Sequence, residues 1–327
     1  MHRFGRGKSG LVPLATLVLA GIIRLMAVLP QAPSRRPSRN LFHGTMERMP
    51  MMRILDLTYG LSPHLGRMLV KLWYRYLTHL DKHAEMMFMN YGYAELDAAG
   101  TRLALRPEDE SNRYSIQLYH HVASGVDLTD RDVLEVGCGR GGGASYIARY
   151  LHPRSVTGID VAPNAVDFCK RHYAVDGLNF ACGDAVALPF PDNSYDVVVS
   201  VESSHCYSPV RNFLAETLRV LRPGGYLLLA DRRDLRGVDT LRTLLVRSGY
   251  QIIGEQLITP NILRALDMDA HRRITLMNHG VPKFWRKMFK QFAATPGTSL
   301  YESFRNRRWE YVSYVARAPA RPDRRPA

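Results

Sequence analysis

The stretch "DVLEVGCGRGGGASYIARYL", residues 132–151, decides how the rest of the chain is read. It opens as a Val/Leu run of strand length, broken only by Glu135. Gly137, Gly139 and Gly142 follow at the spacing G-x-G-x-x-G, and helical spacing then begins. Strand, glycine turn and helix together open an α/β unit, in which the backbone approaches a ligand where a side chain would clash. Alone, the glycine motif is weak and fits a nicotinamide dinucleotide well. Glu135 discriminates. A carboxylate two places before the first glycine stands at the mouth of the turn, where it disfavours a pyrophosphate and favours a cation.

Outward from this unit the pattern continues. "SVTGIDV" (155–161), "LNFACGDA" (178–185), "YDVVVSVES" (195–203) and "GGYLLLAD" (224–231) read as further strands. "APNAVDFCKRHYAV" (162–175) reads as a helix with Pro163 in its first turn. "SPVRNFLAETLRVL" (208–221) reads as another, with Ser208 as its cap and Pro209 at its start. Strands alternating with helices imply a parallel sheet covered on both faces, which suits the continuous Val/Leu/Ile runs. "YQIIGEQLI" (250–258) and "WEYVSYVARA" (309–318) supply two late strands, giving seven in a mostly parallel sheet. Asp160 ends the second strand, roughly 20 residues after the first glycine, where a ribose is gripped by its hydroxyls. Asp184 follows the third strand, where an acid accepts from an adenine amino group. Glu135, Asp160 and Asp184 thus share the carboxyl edge of the sheet, where open α/β sheets bind ligands.

The whole chain has 327 residues, 46% hydrophobic and 23% charged, with a formal net charge of +14. That is globular composition, and the basic excess points to nucleic acid or an anionic membrane surface. Much of it, however, lies in the end segments "MHRFGRGK", "SRRPSR", "RNRR" and "ARPDRRPA", which read as solvated tails. Cys138, Cys169, Cys182 and Cys206 show no metal-ligand spacing, so no metal is expected. The apolar run at 11–30 is interrupted by Arg24 and reads as an anchor, a signal peptide or an upstream extension, with Met46, Met49, Met51 and Met52 as later starts. An extension or weak anchor is favoured, and a cytoplasmic protein is expected, with membrane association through this N-terminal segment as the alternative. The organisation expected is an extension (1–50), an N-terminal helical lid (51–125), a main domain (126–316) with a helical cap inserted at about 262–299, and a basic tail (317–327).

At this point the chain resembles a family. "VLEVGCGRGGGASYIARYL", "VTGIDVAPNAV", "GDAVALPFPDNSYDVVVSVESSHCY" and "ETLRVLRPGGYLLLAD" resemble the successive motifs of class I S-adenosylmethionine-dependent methyltransferases, over residues 127–231. More narrowly, "SNRYSIQLYHHV", "CGRGGGASYIARYLHP" and "VESSHCY" resemble the mycobacterial phthiotriol/phenolphthiotriol dimycocerosate methyltransferase group, which includes fatty-acid O-methyltransferases. The resemblance is looser in 262–299. It implies a Rossmann-like fold and S-adenosylmethionine, whose sulfonium and ammonium suit Glu135. It further implies that Glu135, Gly137, Gly139, Asp160, Asp184, Ala185 and Glu202 line the cofactor. "FMNYGY" (88–93), with Tyr91 and Tyr93, would be a lid over cofactor and substrate, and Tyr207 a substrate contact.

Chemistry then falls on "VESSHCYSP" (201–209). An aliphatic hydroxyl needs a base to take its proton as the new bond forms. His205 lies after the fourth strand, and in related small-molecule methyltransferases a histidine in this loop, with an acid after the fifth strand, is proposed as base. Asp231 is the matching acid. His120 and His121 stand in reserve. Cys206 as a nucleophile is disfavoured, because direct transfer needs no covalent enzyme intermediate, and its adjacency to His205 is read as incidental. The basic, aromatic cap with Phe284, Trp285, Met288, Phe289 and Phe292 suits an acyl chain and peripheral membrane contact better than nucleic acid. The leading expectation is therefore methylation of a lipid hydroxyl. A sugar, polyketide or sterol-like carbon acceptor is the alternative. A nicotinamide oxidoreductase and a non-catalytic binding protein are the readings from other classes.

Overall fold

The structure is a computed structural model that describes residues 87–97, 102–280 and 286–320. Five strands run parallel: β1 (Asp132–Val136), β2 (Ser155–Asp160), β3 (Leu178–Cys182), β4 (Tyr195–Val201) and β5 (Leu221–Asp234). Then β6 (Gln251–Leu257) and β7 (Trp309–Arg317) complete a sheet of order β3-β2-β1-β4-β5-β7-β6, with β7 antiparallel to both neighbours. The sevenfold, mostly parallel sheet expected from the sequence is therefore present. Strand order reverses between β1 and β4, which opens a crevice at their carboxyl ends.

The unbroken apolar runs are explained by two covered faces. Alternate residues point to opposite sides of a strand. Val133, Val197, Val199, Leu228 and Ala230 feed one buried cluster. Leu134, Val136, Val198, Leu227 and Leu229 feed the other. The first face packs against α1 (Arg113–Ala123), α2 (Gly142–Tyr150) and α3 (Pro163–His172) through Ile116, Leu118, Tyr146, Ile147 and Val166. The second packs against α4 (Val210–Val220) and α5 (Leu235–Arg247) through Phe213, Leu214, Leu241 and Leu245. In α4 the buried Phe213, Leu214, Thr217 and Val220 form one stripe at helical spacing. Each fully buried Leu or Phe of this kind contributes roughly 2 kcal/mol of transfer free energy.

The cap between β6 and β7 is helical as expected: α6 (Thr259–Met268), α7 (Ala270–Gly280), α8 (Arg286–Phe292) and α9 (Ser299–Arg305). Ile262, Leu266 and Phe304 seat it on the first face of the sheet. Phe284, Trp285 and the Met288 side chain lie outside the described residues. So do residues 1–86, with the extension, the apolar run and residues 51–86 of the expected lid, and the tail beyond 320. No helix among the described residues is long and apolar enough to cross a membrane.

One local expectation is corrected. Ser208 does not cap α4. The helix begins at Val210 with Pro209 in the cap position, extended at φ −79 and ψ 141, and Pro209 makes no side-chain capping bond. A capping hydroxyl must reach the second or third helical N–H, and Ser208 is one residue too early for that. Pro107–Asn112, within the expected helical lid, forms a 3-10 turn. Asp109 in that turn accepts from Arg149 at 2.7 and 2.9 Å and from Tyr150 at 2.6 Å, which ties it to α2.

Candidate active site

At the carboxyl edge of β1 to β4 lies an open-mouthed cavity. The glycine turn forms its floor. Gly137 has φ +80, and a Cβ there would meet the Tyr207 hydroxyl at 2.4 Å and Ser203 Cβ at 2.5 Å. Gly143 is required by packing: a Cβ would sit 2.0 Å from the Tyr119 ring and 2.6 Å from Glu135 Oε1. The sequence reading assigned roles to Gly137 and Gly139 and none to Gly143.

Of the residues expected at the cofactor, Gly137, Gly139, Asp160, Asp184, Ala185 and Glu202 line the cavity. Glu135 lies just behind the wall, 1% exposed. Its Oε1 accepts from the Tyr119 hydroxyl at 2.6 Å, and Tyr119 and Gly143 both line the cavity. Its Oε2 is buried without a hydrogen-bond partner. Burial pushes the Glu135 carboxyl up to about 7, against the bonds from Tyr119 and the Ala144 backbone. A desolvated carboxylate of this kind favours a cation beside it. Asp160 has a bracing role as well. It accepts from the amides of Gly139 and Ala162, both at 2.9 Å, so it holds the glycine turn that it helps to line. Asp184 accepts from the Val186 amide at 3.2 Å at the far side.

Glu202 follows β4 in the left-handed region, at φ +50. Its Oε1 accepts from the Tyr91 amide at 2.6 Å, which fastens the segment 87–97 across the cavity. Burial pushes Glu202 up to about 7. A 3-10 turn, Ser204–Cys206, comes next. His205 Nδ1 lies 2.8 Å from Asp231 Oδ1, and the His205 amide donates to Asp231 Oδ2 at 2.8 Å. Asp231, fully buried near the end of β5, also accepts from Ser204 Oγ at 2.6 Å and pairs with Arg233 at 3.1 Å. Burial opposes its charge, yet His205 and Arg233 hold it well below the usual carboxylate range.

Burial also opposes charge on His205, but the Cys206 sulfur and the Asp231 carboxylate push it up to about 9. Burial raises the Cys206 thiol, but the neighbouring His205 draws it down.

His205, Asp231, Tyr91 and Tyr93 do not line the cavity, whereas Cys206 and Tyr207 do. Tyr207 lies over Gly137 rather than at the lid. Tyr91 is buried edge-on against Phe304, with ring centroids 5.6 Å apart. Tyr93 stacks on His121 at 4.4 Å, on the α1 side. The lid residues that line the cavity are Met87, Phe88, Met89 and Asn90. His120, the other reserve histidine, bonds Tyr146 at 2.8 Å, and burial lowers both histidines. Tyr119 and Cys206 were missed as wall residues. Tyr119 differs in no local signal from the other apolar positions of α1, and Cys206 carried a signal only through its neighbour.

Comparison with known proteins agrees with this geometry. Residues 134–229 match the family model described as a methyltransferase domain. The chain is 38% identical over 264 residues to the fatty-acid O-methyltransferase of Mycolicibacterium smegmatis, covering 81% of this chain and 95% of that one. It is 40% identical over 230 residues to the phthiotriol/phenolphthiotriol dimycocerosates methyltransferase of Mycobacterium leprae, covering 70% and 84%. Among solved structures, geranyl diphosphate C-methyltransferase of Streptomyces coelicolor, in complex with S-adenosyl-L-homocysteine, superposes with a TM-score of 0.53 at 16% identity, covering 75% and 98%. That likeness carries the fold alone.

Proposed function

The chain belongs to the S-adenosylmethionine-dependent methyltransferases, and from that premise we propose that it methylates an oxygen of a lipid acceptor, with His205 as general base. The residues of the cavity fit the cofactor. Glu135 offers a buried carboxylate oxygen without a partner beside a glycine turn that tolerates no side chain at Gly137. Glu135 would answer the positive charge, Asp160 the ribose hydroxyls and Asp184 the adenine. When bound, S-adenosylmethionine supplies a methyl group already activated on a sulfonium, so the chain's own work is to bind, orient and move a proton.

The observation that carries the base assignment is the buried Asp231 at 2.8 Å from His205 Nδ1. An acid so placed fixes the ring and stabilises the imidazolium that proton uptake creates. The same turn carries Cys206, and Glu202 precedes it, both on the cavity wall. The lipid assignment is supported by the names of the two relatives, both given as acting on lipids.

The test is incubation with labelled S-adenosylmethionine and a mycobacterial lipid extract, followed by mass spectrometry of the labelled product. A labelled lipid is expected; labelling confined to water-soluble acceptors would refute the lipid assignment. His205→Ala is expected to lose roughly 10² to 10⁴ in turnover with cofactor affinity retained. Full turnover in that variant would refute the base assignment.

A further inference from the structure

Tyr119 lines the cavity but has no task in methyl transfer itself. It stands on α1 and is 6% exposed. Glu135, the acid expected to answer the cofactor's positive charge, does not line the cavity. The Tyr119 hydroxyl donates to Glu135 Oε1 at 2.6 Å, so the buried carboxylate meets the cavity through a side chain in its wall. That side chain is held from two sides. Gly143 at the start of α2 makes room for the ring, because a Cβ there would sit 2.0 Å from it. Phe88 of the lid, also in the cavity wall, leans on the ring at 57° with centroids 5.9 Å apart. The hydroxyl is therefore fixed before any ligand arrives.

Its chemistry in that position is narrow. A phenol has one proton to give and lone pairs to receive with. Here the proton is committed to Glu135. Burial and the charge of Glu135 hold the phenol well above its usual range, so it stays a neutral donor to the carboxylate. What the oxygen keeps for the cavity is acceptor capacity, strengthened by the anion behind it. Such an acceptor selects a donor that carries positive charge. S-adenosylmethionine has two cationic centres, but its sulfonium has no proton to donate. Its ammonium has three.

We propose that Tyr119 is a cofactor-binding residue that accepts a hydrogen bond from the ammonium of the cofactor's methionyl end, with Glu135 fixing the direction of the hydroxyl. This rests on the methyltransferase reading of the cavity and deepens it: Glu135 acts on the ammonium through Tyr119.

The test is calorimetry on the full chain with S-adenosylhomocysteine and with its deamino analogue, in which hydrogen replaces the ammonium. It is run at about pH 8, where Glu135 is ionised. The unaltered chain is expected to bind S-adenosylhomocysteine at least tenfold more tightly than the analogue. Tyr119→Phe keeps the ring and removes the oxygen. It should weaken S-adenosylhomocysteine roughly tenfold and leave the analogue within about twofold. Equal weakening of both ligands would make Tyr119 a packing residue and overturn the proposal. So would equal binding of the two ligands by the unaltered chain. The other titratable groups whose charges are felt at Glu135 are Asp160, Cys138 and Tyr173, and the variant keeps all three. The Tyr119→Phe deficit should therefore persist at about pH 9. A deficit that vanishes there would mean that Tyr119 only keeps Glu135 ionised, which also overturns the proposal. Failure of the unaltered chain to bind S-adenosylhomocysteine would strike the methyltransferase reading instead.

Discussion

Glu135 shows how one side chain sets the character of a site. Its Oε2 is buried and without a partner, and burial holds the carboxyl near 7. Removing its charge removes a charge-assisted contact of about 1.5–3 kcal/mol. Glu135→Gln is therefore expected to weaken S-adenosylmethionine roughly 10- to 100-fold, measured by calorimetry. In the unaltered chain the same affinity should weaken as pH falls through about 7, because protonated Glu135 no longer attracts a cation. His205 gives the opposite limb. Raised to about 9, it is a base only once deprotonated, so turnover should climb with pH until about 9. Asp231→Asn removes a charge that supports the imidazolium, so it should move that limb to lower pH while lowering the maximum rate. An acid limb unmoved by Asp231→Asn would show that another group titrates. At this scale the sequence was informative where chemistry and strand ends coincide, as for Asp160 and Asp184. It was silent on Tyr119, whose contact with Glu135 depends on how α1 crosses β1.

At the scale of elements, the strands were legible because both of their faces are covered and their apolar runs are unbroken. The lid was only half legible. Its sequence marked 88–93, but which side chains meet the cavity depends on how the segment is pinned. The ties that do this include the Tyr91 amide to Glu202, the Tyr93 amide to the Tyr114 carbonyl at 2.9 Å, Asn261 Nδ2 to the Ala94 carbonyl at 3.0 Å, and Arg273 to the Asn90 carbonyl at 3.0 Å. Asn261→Ala is expected to free the segment while leaving the sheet intact. Hydrogen exchange should rise several-fold in 91–94 with little change in β1 or β4. Exchange that rises equally in the strands would mean that Asn261 supports the core instead. The 3-10 turn was missed because its anchor, Asp109 on Arg149 and Tyr150, joins segments far apart in the chain.

For the whole molecule, these buried groups make stability depend on pH with a definite sign. Glu135 and Glu202 are raised to about 7, so between about 4.5 and 7 the folded chain holds protons that the unfolded chain has released. Stability falls as pH rises through that window. His205 is raised as well, so its contribution is full below about 6.5 and is lost as pH rises through about 9. The cofactor-free chain should accordingly melt at a higher temperature at pH 5.5 than at pH 9. Saturating S-adenosylmethionine should narrow the gap, because a bound cation offsets the cost of ionised Glu135. A melting temperature flat across this range would count against the burial of all three groups.

The placement of β7 also governs how the chain is made. It is the last strand described, yet it lies between β5 and β6, and among the described residues β6 pairs with no other strand. During synthesis β6 emerges first and waits, with both edges bare, while the whole four-helix cap is translated. Only when β7 arrives can three strands lock together at once. Such late, distant pairing is slow and leaves sticky edges exposed. The nascent chain is thus most vulnerable to aggregation after β6 has left the ribosome and before β7 follows, and a ribosome stalled within the cap would release a sheet with its sixth strand unplaced.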